Sequence, residues 1–233
     1  MCPSGDEQRL RTALSAFRAP SPSATERWST ALTLALSSGN LDQARRIVTG
    51  ACHQITPVGV LDDVLAPAMH DIGSLWEQDE IGMADEHLAT AVAQRLLATI
   101  APELVTAPPR SRERILLTTP AREQHTTGLL MAADVLHGAG YDTVMLGAGL
   151  PDSALALALT RHRPAMVAFS VTMPVSEAFA ETVTMVHELL PAAQVITGGA
   201  ANPNLPWTIS AHHLVRLDGL LVVVDALLAA RRN

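Results

Sequence analysis

Over the first hundred positions apolar residues recur at intervals of three and four, the period of helices packed on one face. A short amphipathic stretch near residues 7–18 gives way to the punctuation Pro20-Ser21-Pro22-Ser23. From Thr25 onward, Trp28, Leu32 and Leu36 mark one face of a helix that Gly39-Asn40 ends. The stretches Asp42 to Gln54, Pro57 to Asp79 and Met83 to Ile100 predict three more helices, with Pro57 suited to a first turn. Four helices joined by short connections imply a bundle.

The pattern changes after Pro102, where Ala107-Pro108-Pro109-Arg110-Ser111-Arg112 reads as a linker. Beyond it, the short apolar runs Ile115 to Thr118, Val144 to Gly147, Met166 to Phe169 and Gln194 to Thr197 alternate with amphipathic segments of helix length. A weaker run, Leu214 to Leu217, follows. Continuous apolar strands interleaved with helices predict a parallel sheet covered on both faces, a doubly wound α/β fold. The expected division is an extension over residues 1–24, a helical bundle over 25–101, a linker over 102–112 and an α/β domain over 113–233. In such sheets ligands bind beyond the carboxyl ends of the strands, so the residues after each strand hold the candidate chemistry.

Composition narrows the classes of function. The 233 residues are 48% hydrophobic and 3% aromatic and carry a formal charge of -7. Without a run of Lys and Arg there is no basic face to track phosphates, so direct nucleic-acid binding is not expected. Cys2 and Cys52 are too few for a disulfide framework, and the first residues lack the basic-then-apolar pattern of a signal peptide. The most apolar stretch, Leu220 to Ala230, is too short to span a bilayer and contains Asp225. A cytoplasmic protein without a membrane anchor is expected.

The loop after the first strand reads Thr118-Thr119-Pro120-Ala121-Arg122-Glu123-Gln124-His125-Thr126-Thr127-Gly128. A carboxylate two residues before a histidine can take one imidazole N–H, directly or through a water, and so fix the tautomer that offers the other nitrogen to a metal. A histidine on a surface loop can equally be a solvated residue, and the neighbouring motifs weigh on that choice. Ser170-Val171-Thr172 follows the third strand and Gly198-Gly199 the fourth. Paired glycines let a bulky ring approach the backbone, and the hydroxyls of Ser170 and Thr172 can bond to it. The plain alternatives are a turn at Gly198-Gly199 and a helix N-cap at Ser170.

The run Glu123-Gln124-His125-Thr126-Thr127-Gly128 resembles the Asp-x-His-x-x-Gly signature of cobalamin-binding domains, with Glu in place of Asp. The resemblance implies that His125 is the lower axial ligand to cobalt and that the cofactor's nucleotide tail inserts along a flavodoxin- or Rossmann-like domain over 113–233. It also implies cofactor contacts from Glu123, Gly128, Ser170, Thr172, Gly198 and Gly199. In the helical half, Trp76 precedes Glu86-His87 by nine intervening residues. That spacing is similar to the cap of cobalamin-dependent photoreceptors related to CarH and LitR, and of the antirepressor AerR, where these side chains cover the upper face of the corrin. Trp76 offers a flat apolar surface, and Glu86 and His87 can bond to a polar upper group such as adenosyl. A Trp ending one helix and an acidic-imidazole pair starting the next can also be a core anchor and a helix-start charge pattern.

Two departures bear on what the resemblance implies. Glu77 stands where CarH-type proteins carry a second cobalt-binding histidine, so an open upper position falls to water or hydroxide, or to His87 or His70. Only about 24 residues precede the bundle, too few for the winged-helix DNA-binding domain of CarH-like repressors. The expectation is a non-enzymatic cobalamin photoreceptor, loaded with adenosylcobalamin or methylcobalamin, that signals by self-association or through a partner such as a transcription factor. The alternatives are a corrinoid methyl carrier of a methyltransferase system, a storage or delivery module, and a flavodoxin-like domain for another ligand.

Overall fold

The computed structural model describes residues 23–105, 113–175, 177–201 and 211–231. The helix expected near 7–18 lies outside the described residues. The chain divides into two compact units, Met1–Glu103 and Leu104–Asn233.

The first unit is helical. Helix α1 spans Ala24–Ser37 and begins with a capping box, in which Ser23 accepts the Glu26 N–H while the Glu26 carboxylate accepts the Ser23 N–H. Gly39, in the left-handed conformation, ends it with N–H bonds returning from Gly39 to Leu36 and from Asn40 to Ala35. Asn40 then caps α2, Leu41–Cys52, by accepting the Gln43 N–H. Thr56 and Pro57 start a long helical run, α3, over residues 57–77. Its middle is a π-helical turn, Leu61–Leu65, where one continuous helix was expected and where a wider turn carries the backbone without a break. Helix α4, Met83–Ile100, follows, and a 3₁₀ turn, Ala101–Leu104, continues from it. Helix α1 packs against α2, α3 and α4, and Leu32, Leu36, Val48, Leu65, Ile72 and Leu96 are fully buried within the unit.

The second unit is a five-stranded sheet in the order β2-β1-β3-β4-β5, with every adjacent pair parallel. Strand β1 is Arg114–Thr118, β2 Asp142–Gly147, β3 Met166–Ser170, β4 Gln194–Gly198 and β5 His212–Leu214. Helices α5 (Thr127–Gly138), α6 (Asp152–His162), α7 (Ala178–Leu189) and α8 (Leu220–Ala230) connect and cover them. All five residues of β3 are buried, as a central strand covered on both faces requires. On one face Leu155 and Leu159 of α6 and Phe179, Val183 and Val186 of α7 pack on Leu116, Val167 and Phe169, with the Phe169 and Phe179 rings meeting edge to face at 5.1 Å. Helix α8 is tied in by the Tyr141 hydroxyl, which donates to the Asp225 carboxylate.

The last strand differs from the expected Leu214 to Leu217. It ends at Leu214 because β4 offers partners only from Ile196 to Gly198, after which Val215 turns out to solvent and Arg216 pairs with Asp218. Strand β1 lies between β2 and β3, so the loops leaving β1 and β3 diverge at the switch point where ligands of such sheets bind.

Candidate functional site

Strand β1 delivers the loop 119–126 to this switch point. Thr119, buried at its root, donates its hydroxyl to the Glu123 carbonyl at 2.9 Å and accepts the Gly149 N–H at 3.1 Å, which ties the loop to the one leaving β2. Glu123 turns inward with 3% of its side chain exposed, and His125 turns outward with 54% exposed. Their contact is direct: His125 Nδ1 lies 2.5 Å from Glu123 Oε1, which also accepts the His125 backbone N–H at 3.0 Å. The other carboxylate oxygen accepts the backbone N–H groups of Thr172, at 2.9 Å, and Met173, at 2.8 Å.

Burial alone would raise the Glu123 pKa, but the amides of His125 and Met173, the His125 imidazole and the Thr172 amide outweigh it and hold the carboxyl below its usual range. An ionised carboxylate only accepts, so Nδ1 donates to it, and in the neutral ring Nε2 is the nitrogen that carries the lone pair. That is the form in which an imidazole binds a metal. Among the described residues no group of three or more His, Cys, Asp or Glu side chains is arranged to hold a bare ion. A single imidazole suffices for a metal that arrives inside its own macrocycle.

The other residues marked in this unit gather at the same strand ends. Gly128, in the first turn of α5, comes so close to β3 that a Cβ there would stand 3.3 Å from Ser170 Oγ. Ser170, buried, is the last residue of β3 and pairs with Gly198, so it caps no helix; α7 starts only at Ala178. Gly199 adopts φ +121°, and a Cβ there would be 2.4 Å from the Val171 carbonyl, so only glycine fits. Thr172 meets Glu123 through its backbone, and its side chain is half-buried beside the loop.

The helical unit carries the remaining candidates. Trp76, in the last turn of α3, is 46% exposed, whereas its neighbour Leu75 is buried in the core. Trp76 is therefore not a core anchor. Glu86 and His87 lie in the first turns of α4; Glu86 accepts a bond from Thr90 Oγ1 at 2.8 Å and stands 3.7 Å from His87 Nε2. His87 is open to solvent, as are His70 and Glu77. Neither Thr119 nor the Met173 amide is legible as a site group from the sequence. A pair of threonines closing a strand is a weak signal, and a backbone donor leaves none.

Residues 28–101 and residues 113–221 each match a family model described as a B12 binding domain. The chain belongs to the B12-binding domain family. Within it, the chain is 32% identical over 179 residues to the HTH-type transcriptional repressor CarH of Myxococcus xanthus, and 30% identical over 159 residues to the repressor CarA of the same organism. These alignments take in 76% and 68% of this chain and 58% and 53% of the two repressors, so the chain spans little more than half the length of either. The monomethylamine corrinoid protein of Methanosarcina barkeri superposes with a TM-score of 0.72 over 87% of this chain and all of that one, at 16% identity, a likeness of fold.

The B12-binding chain binds cobalamin, and its strand-end residues fit that group. The His125 ring is exposed with one nitrogen anchored by a buried carboxylate, and glycines at 128, 198 and 199 let the strand-end segments pack closely beside it. Among the described residues no helix is long and apolar enough to cross a membrane.

Proposed function

We propose that this chain is a light sensor that uses cobalamin, in which His125 would ligate the cobalt and Trp76, Glu86 and His87 of the helical unit would cover the bound cofactor. The observation that carries the reading is Trp76, an indole left 46% exposed at the end of α3, followed after nine residues by Glu86-His87. When bound, the cofactor supplies a cobalt–carbon bond that light can break. The protein's own part is to hold His125 in one tautomer through Glu123, to accept the tail beside Ser170, Thr172, Gly198 and Gly199, and to exclude water with Trp76. Glu86 and His87 offer an acceptor and a donor to the upper group. Loss of their contacts on illumination shifts the helical unit, residues 25–101, to a second arrangement that changes association with itself or with a transcriptional partner. A differential affinity of roughly 5 kcal/mol between the two states is enough to move such an equilibrium almost completely. No reaction is assigned to the chain, and it acts in the cytoplasm.

The test is to load the chain with adenosylcobalamin and, separately, methylcobalamin, and to record absorption spectra and elution volumes before and after green light. The expected result is a light-dependent spectrum accompanied by a change in size or partner affinity. Unchanged spectra together with unchanged elution would sink the reading.

The fold likeness to the corrinoid protein of a methylamine system supports a second reading, a methyl carrier using the same His125. Under it, Trp76→Ala leaves light-induced changes beside the point and alters methyl transfer to a partner enzyme, which is the measurement that separates the two.

A further inference from the structure

We infer that Leu104, seated on the last turn of α5, is the fixed point from which the helical unit turns, and that α5 holds this point at a set distance from the loop carrying His125. The inference deepens the light-sensor reading by naming the device its change of arrangement uses, and rests on that reading only for its functional meaning.

Leu104 is the first residue of the second unit and ends the 3₁₀ turn that continues from α4. It is 4% exposed, although it falls inside the stretch that reads from the sequence as a linker, residues 102–112. Its seat is made by Gly138, the buried last residue of α5. A Cβ on Gly138 would stand 2.3 Å from the Leu104 carbonyl oxygen, 2.7 Å from its carbonyl carbon and 3.3 Å from its Cβ. Gly138 is helical and has no positive φ, so its conformation is open to any residue. A glycine in a helical turn is less favourable than alanine, and what it supplies here is room for two backbones to meet.

Upstream, Ile100 closes α4 and is fully buried in the first unit. Between these two buried residues, one in each unit, stand only Ala101, Pro102 and Glu103, of which the last two are exposed. A turn of the helical unit is therefore absorbed in three residues of backbone. The ring of Pro102 fixes one φ among them and narrows the directions of that turn further.

Downstream, α5 is a rod. Its 12 residues run for about 18 Å, from Thr127, two residues after His125, to the seat of Leu104. Leu129, Met131, Val135 and Leu136 bury its inner face, and the N–H groups of Ala139, Gly140 and Tyr141 close its end on the carbonyls of Val135, His137 and Leu136. One helix thus sets the fixed point relative to the imidazole proposed to hold cobalt.

Cleavage of the full cofactor-free chain by a glutamyl endopeptidase tests the seat, because Glu103 immediately precedes Leu104 and Glu188 lies exposed within α7. The protease needs an opened segment, so its rate follows the population of the open form. In Gly138→Ala, the bond between Glu103 and Leu104 is cut about ten-fold or more faster than in the wild-type chain, while cutting after Glu188 is unchanged. Leu104→Ala, which takes atoms away and adds no clash, carries the same prediction if Gly138→Ala does not fold. An unaltered rate at Glu103 overturns the inference. So does a rise at Glu103 and Glu188 by the same factor, which makes Gly138 an ordinary core position. A second arm loads wild type and Gly138→Ala with adenosylcobalamin and records elution volumes in the dark and after green light. Equal uptake of cofactor with a reduced light-induced shift in the variant supports the fixed point; an undiminished shift alongside faster cleavage overturns it. If the wild-type chain shows no light-induced shift, the light-sensor reading fails, while the cleavage arm still decides whether Leu104 is anchored.

Discussion

Nδ1 of His125 and Oε1 of Glu123 stand 2.5 Å apart, one side chain open to solvent and the other sealed beneath it. If His125 ligates cobalt as proposed, its affinity for the metal depends on a residue that does not touch the metal. Glu123→Gln is expected to weaken hydroxocobalamin binding by about 10- to 100-fold, because a neutral amide neither fixes the tautomer as firmly nor raises the basicity of Nε2. His125→Ala is expected to leave any bound cobalamin without imidazole ligation. Titrations followed at the visible absorption bands measure both; equal affinity for wild type and Glu123→Gln would falsify the role of the carboxylate.

Gly199 makes a sharper stability prediction. Its φ of +121° and the 2.4 Å separation between a Cβ there and the Val171 carbonyl combine a strained conformation with a clash against backbone. Gly199→Ala should cost about 2 kcal/mol, which for a chain of this size lowers the melting temperature by roughly 4–8 °C. Thermal denaturation of the cofactor-free chain checks it, and a melting temperature within a degree of wild type contradicts the geometry.

Trp76→Ala should behave in the opposite way. Surface substitutions usually change stability by no more than about 0.5 kcal/mol, so the melting temperature of the cofactor-free chain should move by less than about 2 °C. The same variant should lose the light-induced change in elution or partner binding. Calorimetry beside chromatography in dark and light makes the comparison, and a large stability loss with an intact light response would place the indole in the core after all.

His213 sets a pH dependence. Burial pushes its imidazole below the ordinary histidine value of about 6.5, and Nδ1 lies 3.0 Å from Thr197 Oγ1. The unfolded chain therefore takes up this proton first as the pH falls. Stability is fully present above about pH 6.5, declines as the pH drops toward the lower folded value, and is then flat with respect to this group. His213→Asn should remove that part of the slope. Denaturant midpoints of the two proteins between pH 5 and 7 test it, and parallel pH profiles refute it.

What the sequence disclosed and what it concealed follow from where each interaction is made. Strands β1, β3 and β4 each carry an unbroken buried stretch, because both faces of each are covered, and the helices of the first unit repeat every three or four residues. Ser170 and Gly198-Gly199 are legible because they close such runs, and His125 because it stands in a charged motif on the loop after β1. The π turn at Leu61–Leu65 was hidden, since Leu61, Val64, Leu65 and Ala68 stay buried at ordinary helical spacing through it. Strand β5 was placed late because its first two residues, His212 and His213, are polar and it is only an edge. The second pair of bonds on Glu123 could not be read at all. Their donors are backbone amides, which every residue but proline possesses, and nothing in the identity of Thr172 or Met173 marks them.

The exposed indole of Trp76 has a practical consequence. A corrin absorbs across the near-ultraviolet and visible range, so a tryptophan brought beside it loses its emission. Trp76 stands far more open than the partly buried Trp28 of the same unit. On the proposed placement of Trp76 against the corrin, its fluorescence is expected to fall as cobalamin is loaded, a gauge that needs no label.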